Sequence, residues 1–286
     1  DEDFPFQGEY VGEKDGKRHG VQIFALGGGT FGAVGYNGGL ARAGWDGDRA
    51  TVTRTEGSRE EGGTSVHFER EELIGEADGV KIYVTKKGGG EVMEGEGVDR
   101  RAPTLGATPP EGAVVLFGGK DANDFTGSQV TEDGLLTQGA TSKEKFGDFS
   151  LHIEFRLPYM PAARKQGRGN SGIYLQGRYE VQMLDSFGLE GKDNECGGIY
   201  KIASPKQSRV SNESTIARRT AHRRSANLAT TTATATRGTS QRRPLHASAT
   251  CRVAFESTST LPSRRIGMPA AHTAASAVCD AANCSG

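Results

Sequence analysis

The residues best placed to do chemistry lie in the segment 169–185, which reads GNSGIYLQGRYEVQMLD. Polar and apolar side chains alternate from residue 178 onward, which is the pattern of a half-buried β-strand. Arg178, Glu180 and Gln182 therefore share one face of the predicted strand, and apolar side chains share the other. Such a polar face is either solvated or lines a groove that hydrogen-bonds a polar ligand, and spacing alone leaves both interpretations open.

A second carboxylate on this face would make Glu180 part of a two-carboxylate glycosidase. Retaining glycoside hydrolysis needs two carboxyl groups roughly 5 Å apart, one as nucleophile and one as acid and base. The next positions on the face of Glu180 are Gln182 and Leu184, and Asp185 falls on the opposite face. The spacing therefore argues against ordinary retaining hydrolysis and leaves Glu180 as a single carboxylate.

Other patterns in the chain do not build a cofactor or metal site. Residues 167–172 match G-x-G-x-x-G, but they follow a loop and open a predicted strand, whereas the dinucleotide-binding motif opens a helix. His152 is the only histidine between residues 109 and 205, which excludes a multi-histidine metal site there. The four cysteines match no zinc spacing and no disulfide framework.

Strands are the elements that must position these residues, and the sequence predicts an all-β protein. Residues 1–102 contain short alternating segments between glycine-rich turns, which predicts an N-terminal antiparallel β-meander domain with a structural or accessory binding role. Residues 103–110 read as a proline-rich linker. Residues 111–205 return to the strand pattern and predict a β-sandwich or jelly roll.

The composition changes abruptly near residue 206. The whole chain has a net charge of −1, but residues 1–206 hold 24 Lys and Arg against 33 Asp and Glu, whereas residues 207–286 hold 11 Arg, no Lys and 3 acidic residues. Of those last 80 residues, 50 are Ala, Thr, Ser or Arg. This composition has too little apolar surface to offset the entropy of ordering, so we expect a disordered tail over 206–286.

Two explanations compete for this basic tail. A disordered basic arm binds nucleic acid or acidic partners, and such binding falls steeply with salt. Arginine without lysine, and the run TTTATAT, are instead typical of GC-rich DNA translated out of frame, which is the explanation we favour. Resequencing the coding region tests it, and no nucleic-acid partner is expected. No apolar run is long enough to span a membrane, so no membrane partner is expected either.

Four blocks of residues resemble the 3-keto-disaccharide hydrolase family and together cover about 112–205. They are AVVLFGGKDANDF, GDFSLHIEFRL, GNSGIYLQGRYEVQMLD and CGGIYKIASP. The resemblance implies a concanavalin-like jelly-roll sandwich in a secreted or periplasmic bacterial protein. Family members continue after the last block with further strands and motifs that do not follow Pro205 here. We therefore expect an incomplete jelly roll and an impaired enzyme.

The resemblance also implies a chemistry that needs only one carboxylate. A ketone at sugar C3 acidifies the proton on C2, so a single base starts elimination of the group on C1, and water then adds back. By this resemblance Glu180 is the base, and Arg178 or Gln182 binds the enolate or the sugar hydroxyls. Tyr174 or His152 then protonates the leaving oxygen.

The remaining expectations concern substrate contacts and partners. Asn170, Asp185 and Lys201 are predicted to contact substrate, and Asn170 and Asp185 are also candidates for holding a divalent cation. The expected partner is a carbohydrate, and no metal is encoded by a recognisable motif. A non-catalytic carbohydrate-binding module of the same fold stays as the alternative function, since it uses the same groove without chemistry.

Overall fold

The structure is a computed structural model. It describes residues 1–102, 104–146, 149–175 and 177–205 in full, and the backbone of three tail strands, 226–234, 248–254 and 276–279. Within these ranges the regular elements are strands and three short 3₁₀ turns, and there is no α-helix. The prediction of an all-β fold is therefore confirmed.

The N-terminal region is a closed antiparallel barrel of eight strands, in which β8 pairs with β1. The strands are β1 (Gly8–Lys14), β2 (Lys17–Gly27), β3 (Thr30–Asn37), β4 (Thr53–Ser58), β5 (Val66–Arg70), β6 (Leu73–Ala77), β7 (Lys81–Lys86) and β8 (Glu91–Val98). The prediction of an antiparallel meander is confirmed, and the closure of that meander into a barrel is additional.

Local sequence accounts for much of this barrel. Asp15 and Gly16 both have positive φ angles, 51° and 70°, and they join β1 to β2 as a two-residue hairpin turn. Alternate side chains then point into the barrel, where Ile23, Phe31 and Val66 are fully buried in one apolar cluster. Hairpins between neighbours in sequence thus build the sheet, and period-two alternation fills its interior.

The second region is a sandwich of two sheets. Its strands are β9 (Val114–Val115), β10 (Phe125–Thr126), β11 (Thr141–Ser142), β12 (Ser150–Pro158), β13 (Asn170–Leu175), β14 (Tyr179–Leu184), β15 (Ala226–Thr234), β16 (Ser248–Ala254) and β17 (Ser276–Cys279). One sheet has the order β10-β11-β17-β13-β14, and the other has the order β15-β12-β16-β9.

Apolar side chains from both sheets meet in one core. Leu151, Ile153 and Phe155 of β12 share a buried cluster with Ile173 of β13 and Val181 of β14. The inner faces of the two sheets therefore pack on each other, as in a β-sandwich. This confirms the predicted sandwich class, and it places the polar faces of β12 and β14 on opposite outer sides.

Three segments of the predicted disordered tail are strands of this sandwich, which differs from the expectation. β15 pairs antiparallel with β12 from Ser150↔Thr234 to Pro158↔Ala226, and β16 pairs with the other edge of β12 in parallel. β17 lies between β11 and β13. The β15 sequence is rich in threonine, a β-branched residue that favours strands even where apolar alternation is weak. The rest of the predicted disordered tail lies outside the described residues.

The barrel and the sandwich touch through the loop that follows β14 and through the segment that follows β12. The Arg54 guanidinium donates to the carbonyl oxygens of Gly188 at 2.7 Å and Leu189 at 3.2 Å. The Phe4 ring packs edge-on against Tyr159, with ring centroids 5.1 Å apart. This loop is thereby held against the outside of the barrel, close to the end of β14.

Candidate functional site

The hairpin of β13 and β14 brings four of the predicted site residues onto one sheet face. Its register sets Tyr174 opposite Glu180 and Gly172 opposite Gln182. Directly opposite residues in an antiparallel pair project to the same side, so these residues share a face with Asn170. Ile173 and Val181 point the other way, into the sandwich core. The predicted alternation of this strand is therefore observed.

The Glu180 side chain lies across Gly172. The Tyr174 hydroxyl donates to Oε2 of Glu180 at 3.0 Å. A Cβ added at Gly172 would come within 2.2 Å of Oε1 and 2.7 Å of Cγ of Glu180, so only a glycine leaves space for this placement. The Glu180 carboxylate thus lies in the space left by Gly172, and the hydrogen bond from the Tyr174 hydroxyl orients it.

The pKa of Tyr174 is raised from its ordinary value by burial first and then by the hydrogen bond to Glu180 and its negative charge. Tyr174 consequently keeps its proton across the neutral range and stays a donor to the carboxylate. A carboxylate that accepts from a neutral phenol, with no second carboxylate opposite it on β13, is suited to take or return one proton.

Gln182 sits deeper on the same face and is almost fully buried, with 1% exposure. Its Nε2 donates to Oε1 of Gln166 at 2.8 Å, and Asn170 Nδ2 donates to the Gln166 carbonyl oxygen at 3.0 Å. Gln182 Oε1 is buried and accepts no hydrogen bond from any described residue. Buried acceptors are nearly always satisfied, which makes this oxygen a candidate contact for a polar ligand.

The segment after residue 196 covers the free edge of β14. Gln182 N–H donates to the Gly198 carbonyl, and Tyr200 N–H donates to the Glu180 carbonyl, both at 2.9 Å. The Lys201 ammonium lies 5.2 Å from the centroid of the Tyr200 ring, within cation–π range. An exposed positive charge is therefore carried on the segment that runs alongside Glu180.

Three predicted site residues lie elsewhere. His152 is on the outer face of β12, in the other sheet, where its Nε2 is 3.3 Å from Oε1 of Glu154. The sandwich core separates this face from the Glu180 face, so the structure does not bring His152 to that carboxylate. Arg178 is exposed at the turn between β13 and β14. Asp185 is buried in an ion pair, with Oδ2 3.0 Å from the Arg168 guanidinium.

The groups predicted for a cation are engaged with protein partners. Asn170 donates to Gln166, and Asp185 is paired with Arg168. In the ranges that the structure describes there is no group of three or more His, Cys, Asp or Glu placed to hold a metal.

Sequence reasoning missed three residues that shape the site. Gly172 makes room for Glu180, Gln166 hydrogen-bonds both Asn170 and Gln182, and Tyr200 anchors the edge segment through its backbone. The signal for Gly172 was available, since a glycine within an alternating strand often marks a close approach of another group. Gln166 lies in a 3₁₀ turn, and no periodicity pointed to it.

Residues 112–241 match the family model described as a 3-keto-alpha-glucoside-1,2-lyase-like domain. The match confirms the family that the four sequence blocks indicated. It continues beyond Pro205, where the resemblance was expected to end, and it includes β15. The chain matched no curated protein and no solved structure. No helix among the described residues is long and apolar enough to cross a membrane.

Proposed function

Proceeding from a 3-keto-alpha-glucoside-1,2-lyase-like region, we propose that the outer face of β13 and β14 binds a 3-keto-glycoside and breaks its glycosidic bond by elimination. The observation that carries this proposal is the placement of Glu180 as a single carboxylate over Gly172, hydrogen-bonded to the Tyr174 hydroxyl. A single base suffices here, because the C3 ketone of the substrate acidifies the C2 proton.

In the proposed steps the proton taken from C2 replaces the proton that Tyr174 gives to the leaving oxygen. Glu180 removes the C2 proton, and the electrons of that C–H bond form an enolate with the C3 ketone. The enolate then forms a C1–C2 double bond and expels the C1 oxygen, which takes its proton from Tyr174. The hydrogen bond between Tyr174 and Glu180 lets the abstracted proton pass from Glu180 to Tyr174, so both groups return to their starting states.

The rest of the face supports binding of a sugar. The buried Gln182 Oε1 lacks a donor among the described residues, and a substrate hydroxyl supplies one. Lys201 carries positive charge on the segment beside the face, suited to the developing enolate oxygen. Asn170 lies one position beyond Gly172 on the same face and extends the polar surface. Water adding across the new double bond completes net hydrolysis.

We also propose that the protein works in the periplasm or outside the cell, on a carbohydrate partner. The location and the partner follow from the family resemblance.

Replacing Glu180 with Gln tests the assignment. With a 3-keto-glucoside as substrate, we expect Glu180→Gln to lower kcat by about 100-fold or more, which is the usual contribution of a positioned general base. Exchange of the C2 proton with deuterium from solvent is lost in parallel. Sugar affinity measured by calorimetry stays within a few-fold, since the amide keeps the size of the carboxylate.

Glu190→Gln is the matched control, because Glu190 is an exposed glutamate paired with Lys192 outside this face. Undiminished turnover by Glu180→Gln would remove Glu180 from the mechanism. If the unmodified chain binds the 3-keto-glucoside but releases no product, the carbohydrate-binding module is the better description. Absence of both binding and turnover overturns the proposed function.

A further inference from the structure

The barrel encloses a cavity that the proposed lyase chemistry does not use. Its volume is about 310 Å³, and the side chains around it include Val21, Phe68, Leu73, Ile82 and Val84. An eight-stranded barrel has an interior just wide enough either to be filled by its own side chains or to hold one small ligand. The presence of an apolar void of this size puts this barrel in the second class.

Small residues on the inner face create the room. Gly75 lies between Phe68 of β5 and Val84 of β7 in the cross-strand register, and its neighbours line the void. A Cβ added at Gly75 would meet Phe68 at 3.5 Å, an ordinary contact, so the glycine is not required by crowding. Ala33 is a second small residue of the lining, on β3. The cavity therefore exists because small residues occupy positions where a close-packed core would have larger side chains.

The cavity reaches the seam between β4 and β5, which is the shortest ladder of the barrel. These strands pair only at Gly57↔Phe68 and Ser58↔His67, whereas β3 pairs with β4 over six residues and β5 pairs with β6 over five. Beyond Gly57 the backbone ladder ends, and the Thr55 hydroxyl donates to the Glu69 carbonyl oxygen at 3.3 Å. Thr53, Thr55 and Arg70 all line the cavity at this seam. A short ladder at this seam gives a small molecule a way in without breaking the rest of the barrel.

A positive charge stands at this seam. Arg70 has the same strand parity as the buried Val66 and Phe68, and its side chain is 41% exposed. Its ion pair among the described residues is with Glu71, at 3.4 Å, and Glu71 is itself 78% exposed. Arg54 also lines the cavity, but its guanidinium donates to the carbonyls of Gly188 and Leu189. Arg70 thus has only an exposed ion pair among the described residues, and its guanidinium can bind the carboxylate of a ligand.

We propose that the barrel binds a small amphiphile, with its apolar chain in the cavity and its carboxylate on Arg70. The volume is roughly twice that of a cavity known to hold one benzene molecule, which corresponds to a saturated chain of about eight to ten carbons. The wall is mostly apolar, and its polar residues, Thr53, Arg54, Thr55, Arg70 and Glu71, lie on β4 and at the end of β5. Such a wall selects a medium-chain carboxylate over a sugar, since sugar hydroxyls would find few partners inside, and the carboxylate replaces the exposed Glu71 on Arg70. The occupant is therefore a medium-chain fatty acid or a carboxylate of similar shape.

Calorimetric titration of the full chain with octanoate tests this site, with octan-1-ol as the neutral analogue. We expect saturable binding of octanoate at one site, with an affinity about ten-fold higher than that of the alcohol because of the charge-assisted pair with Arg70. Arg70→Gln removes this preference and leaves octan-1-ol binding unchanged. Arg18→Gln is the matched control, because Arg18 is an exposed barrel arginine outside the cavity lining.

A second variant tests the cavity itself. Gly75→Leu fills the void and abolishes binding of both ligands, and Gly75→Ala, a milder change that keeps the barrel folded, shifts the preferred chain to a shorter carboxylate. Circular dichroism and thermal unfolding confirm that each variant is folded. Absence of saturable octanoate binding overturns the proposal. So does equal binding of octanoate and octan-1-ol, or a Gly75→Leu variant that is folded and binds normally.

Discussion

The barrel and the sandwich are both built from β-strands, but they obtain their strand partners differently. In the barrel each strand pairs with the next one in sequence, and β8 closes on β1. In the sandwich β12 lies between β15 and β16, and β13 lies between β14 and β17. The barrel is complete within residues 8–98, whereas the sheet pairing of the sandwich depends on strands from the tail.

The region with the more local strand pairing is therefore not the region that carries the candidate site. Local hairpins close short loops at low entropic cost, so the barrel holds its own register. Among the described residues, the strands that pair with β12 are β15 and β16, and both come from the tail. The candidate site lies on the sandwich, and its hairpin is supported on one side by β17. The candidate site is therefore carried by the region whose pairing is more easily lost.

Deleting residues 206–286 gives the largest effect that this comparison predicts. The deletion removes both neighbours of β12 and one neighbour of β13, and so leaves unpaired strand edges. We expect fast hydrogen exchange throughout β12, and protection retained in β1 to β8. Mass spectrometry of peptic fragments measures both regions in one experiment.

The full chain is the control for that exchange measurement. Protection of β12 that is the same in the deleted chain and in the full chain would contradict the dependence of the sandwich on the tail. Loss of protection in both regions would contradict the independence of the barrel.

Local patterns predicted the strand pairing of residues 1–102 better than they predicted the strand pairing of the sandwich. The Asp15-Gly16 turn and the alternation around Phe31 are each contained within a few residues, so a meander could be inferred directly. The pairing of Ser150 with Thr234 has no local signature, because it joins segments of opposite composition across the chain. Composition alone made the tail look unstructured, and threonine-rich β15 shows that β-branched residues can pair where apolar alternation is absent.

The site shows the same limit. Alternation predicted that Glu180 and Gln182 share a face, because period two is a property of one strand. The same alternation in β12 could not tell which side of the sandwich His152 would face relative to Glu180. Gln166 reaches the site from a 3₁₀ turn, where side-chain direction has no simple period. Faces within one strand are predictable from sequence, and the meeting of different segments is not.

A pair of core truncations tests whether the two regions unfold separately. Phe31 in the barrel and Phe155 in the sandwich are both fully buried. Phe31→Ala and Phe155→Ala should each cost about 3–5 kcal/mol of unfolding free energy, from lost burial and the remaining cavity. We expect each variant to lower the melting temperature of its own region only, as measured by calorimetry.

Exposed valines provide matched controls for these truncations. Val80→Ala in the barrel and Val115→Ala in the sandwich remove side-chain surface that already contacts solvent, so both should leave the transitions nearly unchanged. If Phe31→Ala and Phe155→Ala each lower both transitions by the same amount, the protein unfolds as one unit and the comparison fails.

The smallest expected effect concerns alkaline stability of the barrel. Burial raises the pKa of Tyr36 to about 12, and its hydroxyl donates to Oε1 of Gln22 at 2.8 Å. Because the folded pKa lies above the unfolded value near 10, the stabilisation is complete below pH 10 and is lost as the pH rises through 12. We expect the barrel to lose about 2 kcal/mol over this range through Tyr36, and Tyr36→Phe to remove that part of the pH dependence.

Urea unfolding at pH 9 and pH 11.5 measures this loss of unfolding free energy. Tyr83→Phe, at a more exposed tyrosine on β7, is the control. An equal pH slope in Tyr36→Phe and in the unmodified chain would show that the barrel loses stability at alkaline pH through other groups.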